Sequence, residues 1–418
     1  MDSPPPSRWR SFKTKFLLLL SVVGPGIVSG TADNDAGGIT TYSVVGASFG
    51  YRMLWILFII TLILALTQEM GARLGLVTGK GLAALIRENF RLRTTTFLIV
   101  ASFVVNLGII LAEYAGVIWV ADIYGVPHWV AVLLAACTIW LVVRKGSFKS
   151  VQKVFLTSSF LFFAYLITGT LVKPDWTEAL RETLIPSIVW SKEYFYTAAA
   201  LIGTTITAWG QFFIQSYFVD KGVTAEHLKY SRWDVFMGAF WTDFVAYFII
   251  LATAGTLYKA GIHIETAAQA AIALQPLAGA FAKHLFAWGL LNASLLGLAV
   301  VSMTSAYIVT EAFGWEGRVD LKQESPSFYR IFTFCIFFSA LVILIPGLPL
   351  VRILVGPQIL NTFILPILFI AILRLLNNSR LMGEHKNGRV LNIISWVSVF
   401  FLVAMAGATT FMLIFGSV

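Results

Sequence analysis

The chain has 418 residues, 58% of them hydrophobic and only 12% charged, with a mean hydropathy of +0.82. A soluble domain is nearer half apolar and a quarter charged, so this composition needs lipid as its solvent and excludes a cytosolic enzyme, a disordered chain and a collagen. The two cysteines, Cys137 and Cys335, each sit in an apolar run as small core residues, which excludes a disulfide scaffold, and the formal charge of +9 has to be read by position.

Apolar stretches long enough to cross about 30 Å of hydrocarbon predict eleven helices, at 15–46, 52–72, 95–121, 127–143, 153–172, 194–219, 234–258, 285–312, 328–346, 350–373 and 390–415. Continuous apolar runs of this length mean helices, because barrel strands would alternate. With the N-terminus in the cytoplasm, 23 of the 30 basic residues fall on the inner side, from Arg8, Arg10, Lys13 and Lys15 through the Arg73–Arg93 and Arg144–Lys153 connections to Arg374–Arg389. That asymmetry sets the topology and explains the charge as anchors facing anionic lipid, so no nucleic-acid partner is implied. The first apolar run shows no small-residue cleavage site. The longest outer connections are 173–193 and 259–284, and in the second the Ala-rich stretch Ile262–Leu274 predicts a short interfacial helix.

Two spans are interrupted where interruption is expensive. In the first, Gly24-Pro25-Gly26 leads to Thr31-Ala32-Asp33-Asn34-Asp35-Ala36-Gly37-Gly38 before apolar sequence resumes. Two carboxylates at bilayer depth persist only when they face protein or water, and the glycines let the helix unwind and free backbone carbonyls. In the sixth, Gly203-Thr204-Thr205-Ile206-Thr207-Ala208-Trp209-Gly210-Gln211 is a similar small and polar stretch. A Gly-Pro kink with a capped helix end would account for the sixth break but not for the two acids of the first. Breaks in the first and sixth spans occupy corresponding positions of two five-helix halves, 12–172 and 193–373, with 390–415 as an additional helix. This is the pattern of an inverted-repeat transporter with its site at the midplane.

Glu113, within Leu111-Ala112-Glu113-Tyr114, and Asp243 in the seventh span add two more intramembrane acids. A buried carboxylate is either protonated or compensated by a cation, and no Lys, Arg or His falls at comparable depth, so a cationic substrate is the natural partner. Glu69 is set aside because Arg73, four residues on, offers an ion pair. No Ser/His, Cys/His or HExxH-type constellation accompanies the acids, which argues against an enzyme.

These residues resemble the Nramp family of divalent metal transporters. The likeness runs from Gly24-Pro25-Gly26 and the acidic break through Phe49-Gly50-Tyr51, Leu54-Trp55, Ala72-Arg73-Leu74-Gly75 and Thr78-Gly79-Lys80. It continues at Gly203 to Ser216, at Gln358-Ile359-Leu360 with Pro366, and at Met382-Gly383. The resemblance implies an all-α polytopic protein of LeuT-like fold, five plus five helices and one more, moving divalent cations by alternating access. The departures are informative. The family's Asp-Pro-Gly-Asn reads Asp35-Ala36-Gly37-Gly38, keeping the metal-binding Asp and replacing the Asn ligand with Gly38. Its Met-Pro-His-Asn reads Ala208-Trp209-Gly210-Gln211, or, shifted by one residue, places Thr207 at the Met. In either register the thioether is gone.

The implied ligand set is all oxygen: Asp35, backbone carbonyls near Ala32 and Thr205, and Gln211, in a site widened by Gly38 and Ala208. Gln358 is placed to meet hydration waters, and Asp33 serves as an access or supporting carboxylate. Losing the sulfur removes a filter against hard cations, and a roomy site with few carboxylates suits Mg²⁺, which sheds water reluctantly. At positions where coupled members resemble one another in carrying acids and histidines, this chain has Phe103, Ile110, Gly210 and Gln215, retaining only Glu113; all five histidines map to loops or span ends. The pattern resembles the Nramp-related magnesium transporters, a prokaryotic branch. The expected function is therefore Mg²⁺ and Mn²⁺ uptake without obligatory proton coupling, across a bacterial inner membrane, with no cofactor and no obligate protein partner. The alternatives are a proton-coupled Mn²⁺/Fe²⁺ symporter with unusual ligands, a sodium-driven organic-solute symporter and an ion channel.

Overall fold

Backbone in hydrocarbon has no water to bond, and this chain answers with helices and turns alone among the described residues. The computed structural model describes residues 25–145, 159–315, 317 and 325–416. Gly24, the chain before it, the start of the fifth span and the basic residues Arg8, Arg10, Lys13, Lys15, Lys149, Lys153, Arg318 and Lys322 lie outside them.

The first span is divided into α1 (Pro25–Ala32) and α2 (Ala36–Phe49), followed by α3 (Leu54–Thr78), the short α4 (Leu82–Asn89), α5 (Leu92–Tyr124), α6 (His128–Lys145) and α7 (Phe163–Leu171). After α8 (Trp176–Leu184) the sixth span is again divided, into α9 (Lys192–Thr205) and α10 (Ala208–Asp220). Then come α11 (Leu228–Thr253), α12 (Ala267–Ala271), α13 (Ala282–Phe313), α14 (Pro326–Ile343), α15 (Leu350–Leu376) and α16 (Arg389–Phe415). Among the described residues nine stretches are long and apolar enough to cross a membrane. The predicted spans outside that count are the first, whose described part is split, and the fifth, of which α7 and the turn before it are described.

Two elements in the long connections differ from expectation. The predicted helix over Ile262–Leu274 begins only at α12, because Thr266 and Gln269 form a reciprocal capping box that fixes the start there. The 173–193 connection contains α8, whose N-terminus is closed by Asp175 accepting from Thr177 N and Glu178 N.

Packing around the first span is governed by register. α1 and α11 run side by side in parallel. Gly26 N donates to Asp234 Oδ2 at 2.7 Å and Asn34 Nδ2 donates to the Thr242 carbonyl at 3.3 Å, each pair 208 residues apart. Gly30 faces Gly238 between them, so closely that a Cβ on Gly30 would lie 2.6 Å from the Gly238 carbonyl carbon. Small residues spaced by four let membrane helices meet backbone to backbone, which is how Gly26 and Gly30 are used. The broken sixth span is enclosed by protein through its central part, while α16 presents Ile393, Val397 and Phe400 to the outside, as a lipid-facing helix does.

Candidate metal site

The two breaks meet at the centre of the bundle. α1 stops at Ala32, Asp33 and Asn34 carry the chain across, and Asp35 caps α2, its Oδ1 accepting from Gly38 N at 2.6 Å. This cap fixes one carboxylate oxygen and holds the side chain at the positive end of the helix, where a negative charge is stabilised. The last carbonyls of α1 and α9 have no following helical turn to bond, and at the second break a side chain takes up part of that need.

Glu113 on α5 reaches the same turn, its Oε2 accepting from Ala36 N at 3.3 Å, and its carboxyl group neighbours that of Asp35. It fits because α13 presents Gly297 there; a Cβ at that position would lie 2.6 Å and 2.7 Å from the two Glu113 carboxylate oxygens. Asp33 is held from two sides, Oδ1 accepting from Thr207 Oγ1 and Oδ2 from Gln68 Nε2, both at 3.3 Å. Thr207 in turn caps α10, accepting from Gly210 N at 3.1 Å, and Gly210 makes room for this approach.

The second break is pinned by α15. Asn361 Nδ2 donates to the Gly203 carbonyl at 2.6 Å and, at 3.4 Å, to that of Ile206, while its Oδ1 accepts from Ala208 N at 3.0 Å. Thr362 Oγ1 donates to Ala199 O at 2.5 Å. One side chain thus bridges both sides of the break, the geometry a helix interruption needs when no water is present to satisfy it. Gln358, one turn earlier on α15, packs against Gly37, and the point where a Gly37 Cβ would sit is 3.3 Å from Asp35 Oδ1. Neither Gln358 Nε2 nor Oε1 has a hydrogen-bond partner, although the residue is wholly buried.

The structure therefore brings Asp33, Asp35, Glu113, Thr207, Gly38, Gly210 and Gln358 together, with the main chain at Ala32, Thr205 and Ala208 alongside. The Thr205 hydroxyl is 3.2 Å from Tyr42 OH. Gln211 turns elsewhere: it lies one turn into α10, and its Nε2 donates to Thr67 Oγ1 on α3 at 3.3 Å, leaving Oε1 without a donor. Asp243 lies on α11 beside the Asn34–Thr242 contact, 3% exposed, with neither oxygen hydrogen-bonded. Sequence reasoning passed over Gln68 and Asn361. Each is an amide in an apolar span, Gln68 beside Glu69 and Asn361 three residues after Gln358, and that oddity was the available signal.

Both sides of the site are closed. Asp33 and Asp35 are each 1% exposed. On the side where α2 ends, Phe49 packs edge-on against Tyr194, with ring centroids 5.4 Å apart, and Trp55 Nε1 donates to Tyr194 OH at 3.2 Å. On the opposite side Glu69 pairs with Arg73 at 3.1 Å, as its spacing predicts, and also with Arg232 at 2.8 Å. Arg73 donates onward to the His385 carbonyl and to Asn387 Oδ1. Nearby, Gln215 Nε2 donates to Lys80 O at 2.8 Å, and Ser216 Oγ to Glu311 Oε1 at 2.5 Å. Glu311 Oε2 accepts from Ala83 N, in the first turn of α4.

The family sequence model described as natural resistance-associated macrophage protein-like matches residues 26–412. Over 398 residues the chain is 28% identical to proteins from Klebsiella pneumoniae named divalent metal cation transporter MntH, with 93% of each chain covered. Among solved structures, the Eremococcus coleocola manganese transporter in complex with an aromatic bis-isothiourea substituted compound superposes with a TM-score of 0.76 at 18% identity, covering 100% of this chain and 91% of that one. The nucleobase-cation-symport-1 family transporter Mhp1, in a closed conformation, superposes with a TM-score of 0.59 at 14% identity, covering 93% and 89%. The likeness to these two structures is one of fold.

Proposed function

The chain belongs to the Nramp family of divalent metal transporters, and we propose that within it this protein takes up Mg²⁺, accepts Mn²⁺ as well, and does so without obligatory proton symport. The observation that carries this reading is the Gln358 amide, buried beside Asp35 with all of its hydrogen-bonding capacity unused. A dry ligand cage has no use for such a group, whereas the water shell of a partly hydrated ion does. The polar side chains gathered at the breaks offer oxygen and amide groups, the donor set of a hard cation. Among the described residues no three His, Cys, Asp or Glu side chains converge on one point, so Asp35 would hold the ion together with neutral oxygens and water.

The driving force need not be a proton. A divalent ion gains about 4.6 kcal/mol in crossing 100 mV, twice the single-charge value, enough for roughly thousandfold accumulation. The protein then works as a multi-pass carrier of the cytoplasmic membrane with its N-terminus inside, as the basic residues of the inner connections favour.

The test is uptake into proteoliposomes carrying both a Mg²⁺-sensitive and a pH-sensitive dye. Saturable Mg²⁺ influx without lumenal acidification, lost in Asp35→Ala, is the expected result. Mg²⁺ influx that survives Asp35→Ala would remove the assignment, and Mn²⁺-dependent acidification would establish the proton-coupled Mn²⁺ symporter in its place.

A further inference from the structure

The acids at the breaks are not equivalent. Asp33 accepts from Thr207 and Gln68, Asp35 from Gly38 N and Glu113 from Ala36 N. Asp243 alone accepts from nothing, with both oxygens buried. The Thr61 hydroxyl lies beside it but gives its only proton to Leu57 O at 2.7 Å. Arg73, the buried cation on the neighbouring helix, is committed to Glu69, His385 O and Asn387. A lone carboxylate in this setting is among the costliest things a protein can bury unless it is neutralised.

Its surroundings are short of donors and rich in oxygen. Asn34 Nδ2 is spent on the Thr242 carbonyl, which fixes the amide and leaves Asn34 Oδ1 without a partner. Thr242 Oγ1 is also unpartnered, and both residues are wholly buried. The Tyr42 hydroxyl, paired with Thr205, is near enough to feel the Asp243 charge. A proton on Asp243 would add one donor to this pocket; a cation would answer several oxygens together. Asp33, near enough for its charge and that of Asp243 to act on each other, is already held by Thr207 and Gln68; that leaves Asp243 to balance a single positive charge, and unwound backbone next to a broken helix is where membrane carriers coordinate such ions.

We propose that Asp243, with Asn34 Oδ1 and the Thr242 hydroxyl, forms a monovalent-cation site that takes Na⁺, separate from the divalent site at Asp35. It rests on the reading of the break as the divalent site, because its effect runs through Asn34. That residue joins α11 to the unwound segment one position before Asp35, so Na⁺ here holds Asp35 in place for the metal, and the two ions assist each other's binding. Couplings of this kind commonly amount to between 5-fold and 150-fold in affinity.

The test uses the full-length protein in proteoliposomes, measuring divalent uptake with external NaCl or with choline chloride at equal ionic strength. Wild type is expected to show a KM for Mg²⁺ about tenfold lower in Na⁺, and Asp243→Asn the same KM in both salts. Na⁺ should also raise the melting temperature of purified wild type and of Asp35→Ala, but not of Asp243→Asn. Equal KM values in wild type, or a Na⁺ effect that persists in Asp243→Asn, overturns the site. Thr242→Val, expected to shrink the Na⁺ effect, supplies the same comparison if Asp243→Asn does not fold, and an undiminished effect there also counts against the site. If Mn²⁺ is carried and Mg²⁺ is not, the Mg²⁺ assignment falls, while the same ratio measured with Mn²⁺ still decides the Na⁺ site.

Discussion

Gly203→Ala is the most demanding test of how the second break is held. A Cβ at Gly203 would overlap the Gln358 carbonyl oxygen and lie 2.6 Å from Thr362 Oγ1 and 2.8 Å from the Gln358 carbonyl carbon. Carbon–oxygen contacts ordinarily open to about 3.3–3.6 Å, so α9 and α15 must part by about 1.5–2 Å. The obstacle is mostly backbone, which cannot swing aside. Four hydrogen bonds cross this contact, from Asn361 to Gly203 and Ile206, from Ala208 to Asn361 and from Thr362 to Ala199. At about 0.6 kcal/mol for each interhelical bond in a membrane, with about 1–3 kcal/mol of overpacking strain, the loss is roughly 3–5 kcal/mol. The displaced turn carries Thr205, and a shift of about 1 Å at a reacting centre can cost on the order of a hundredfold. Gly37→Ala is the control, because the atom in its way is the end of the Gln358 side chain. Purified variants should show a large fall in thermal transition for Gly203→Ala, a small one for Gly37→Ala, and reduced metal uptake for both. A Gly203→Ala protein that melts with wild type and transports normally would refute the argument.

Restoring sulfur and amide ligands through Ala208→Met with Gly38→Asn should shift competition in uptake assays from Mg²⁺ toward Mn²⁺ and Cd²⁺, and an unchanged order would remove Ala208 from the site. Gly297→Ala should push the Glu113 carboxylate off Ala36 N and lower uptake at least as much as Glu113→Gln; full activity would mean that this contact is dispensable. Arg73→Met leaves Glu69 with Arg232 and removes the tie to the 385–387 loop. In a Cys137→Ser background it should speed modification of Thr207→Cys by a thiol reagent added from the cytoplasmic side. Breaking a buried ion pair costs about 3–5 kcal/mol, less here what Arg232 retains, so an unaltered rate would show that this network does not close the inner side.

The parts of this site legible in the sequence were those that violate an apolar run. Asp33, Asp35 and Glu113 stand out because hydrocarbon makes them expensive; in the structure the first two lie on the first break and Glu113 bonds to it at Ala36 N. Their neutral partners were harder to find: Gln68 and Asn361 cost less in an apolar span than a charge does, and what they bond lies 35 and 158 residues away. Gln211 shows a different limit. Similarity to a motif assigns a position but not its bonding: the Gln211 amide nitrogen is taken by Thr67 while its oxygen has no donor. α8 was not anticipated because it is a short amphipathic helix in a connection, started by the Asp175 cap.

The fixed spacing of 208 residues that joins Gly26 to Asp234 and Asn34 to Thr242 makes α1 and α11 behave like two racks cut to the same tooth. One residue inserted into α11 between Asp234 and Thr242 would turn the following teeth by about 100° and leave Asn34 facing the wrong side chain. The same insertion in the connection after α11 would be absorbed. In this structure the first half of the broken span is thus keyed to the seventh span residue by residue, as a pair of helices rather than a free rod.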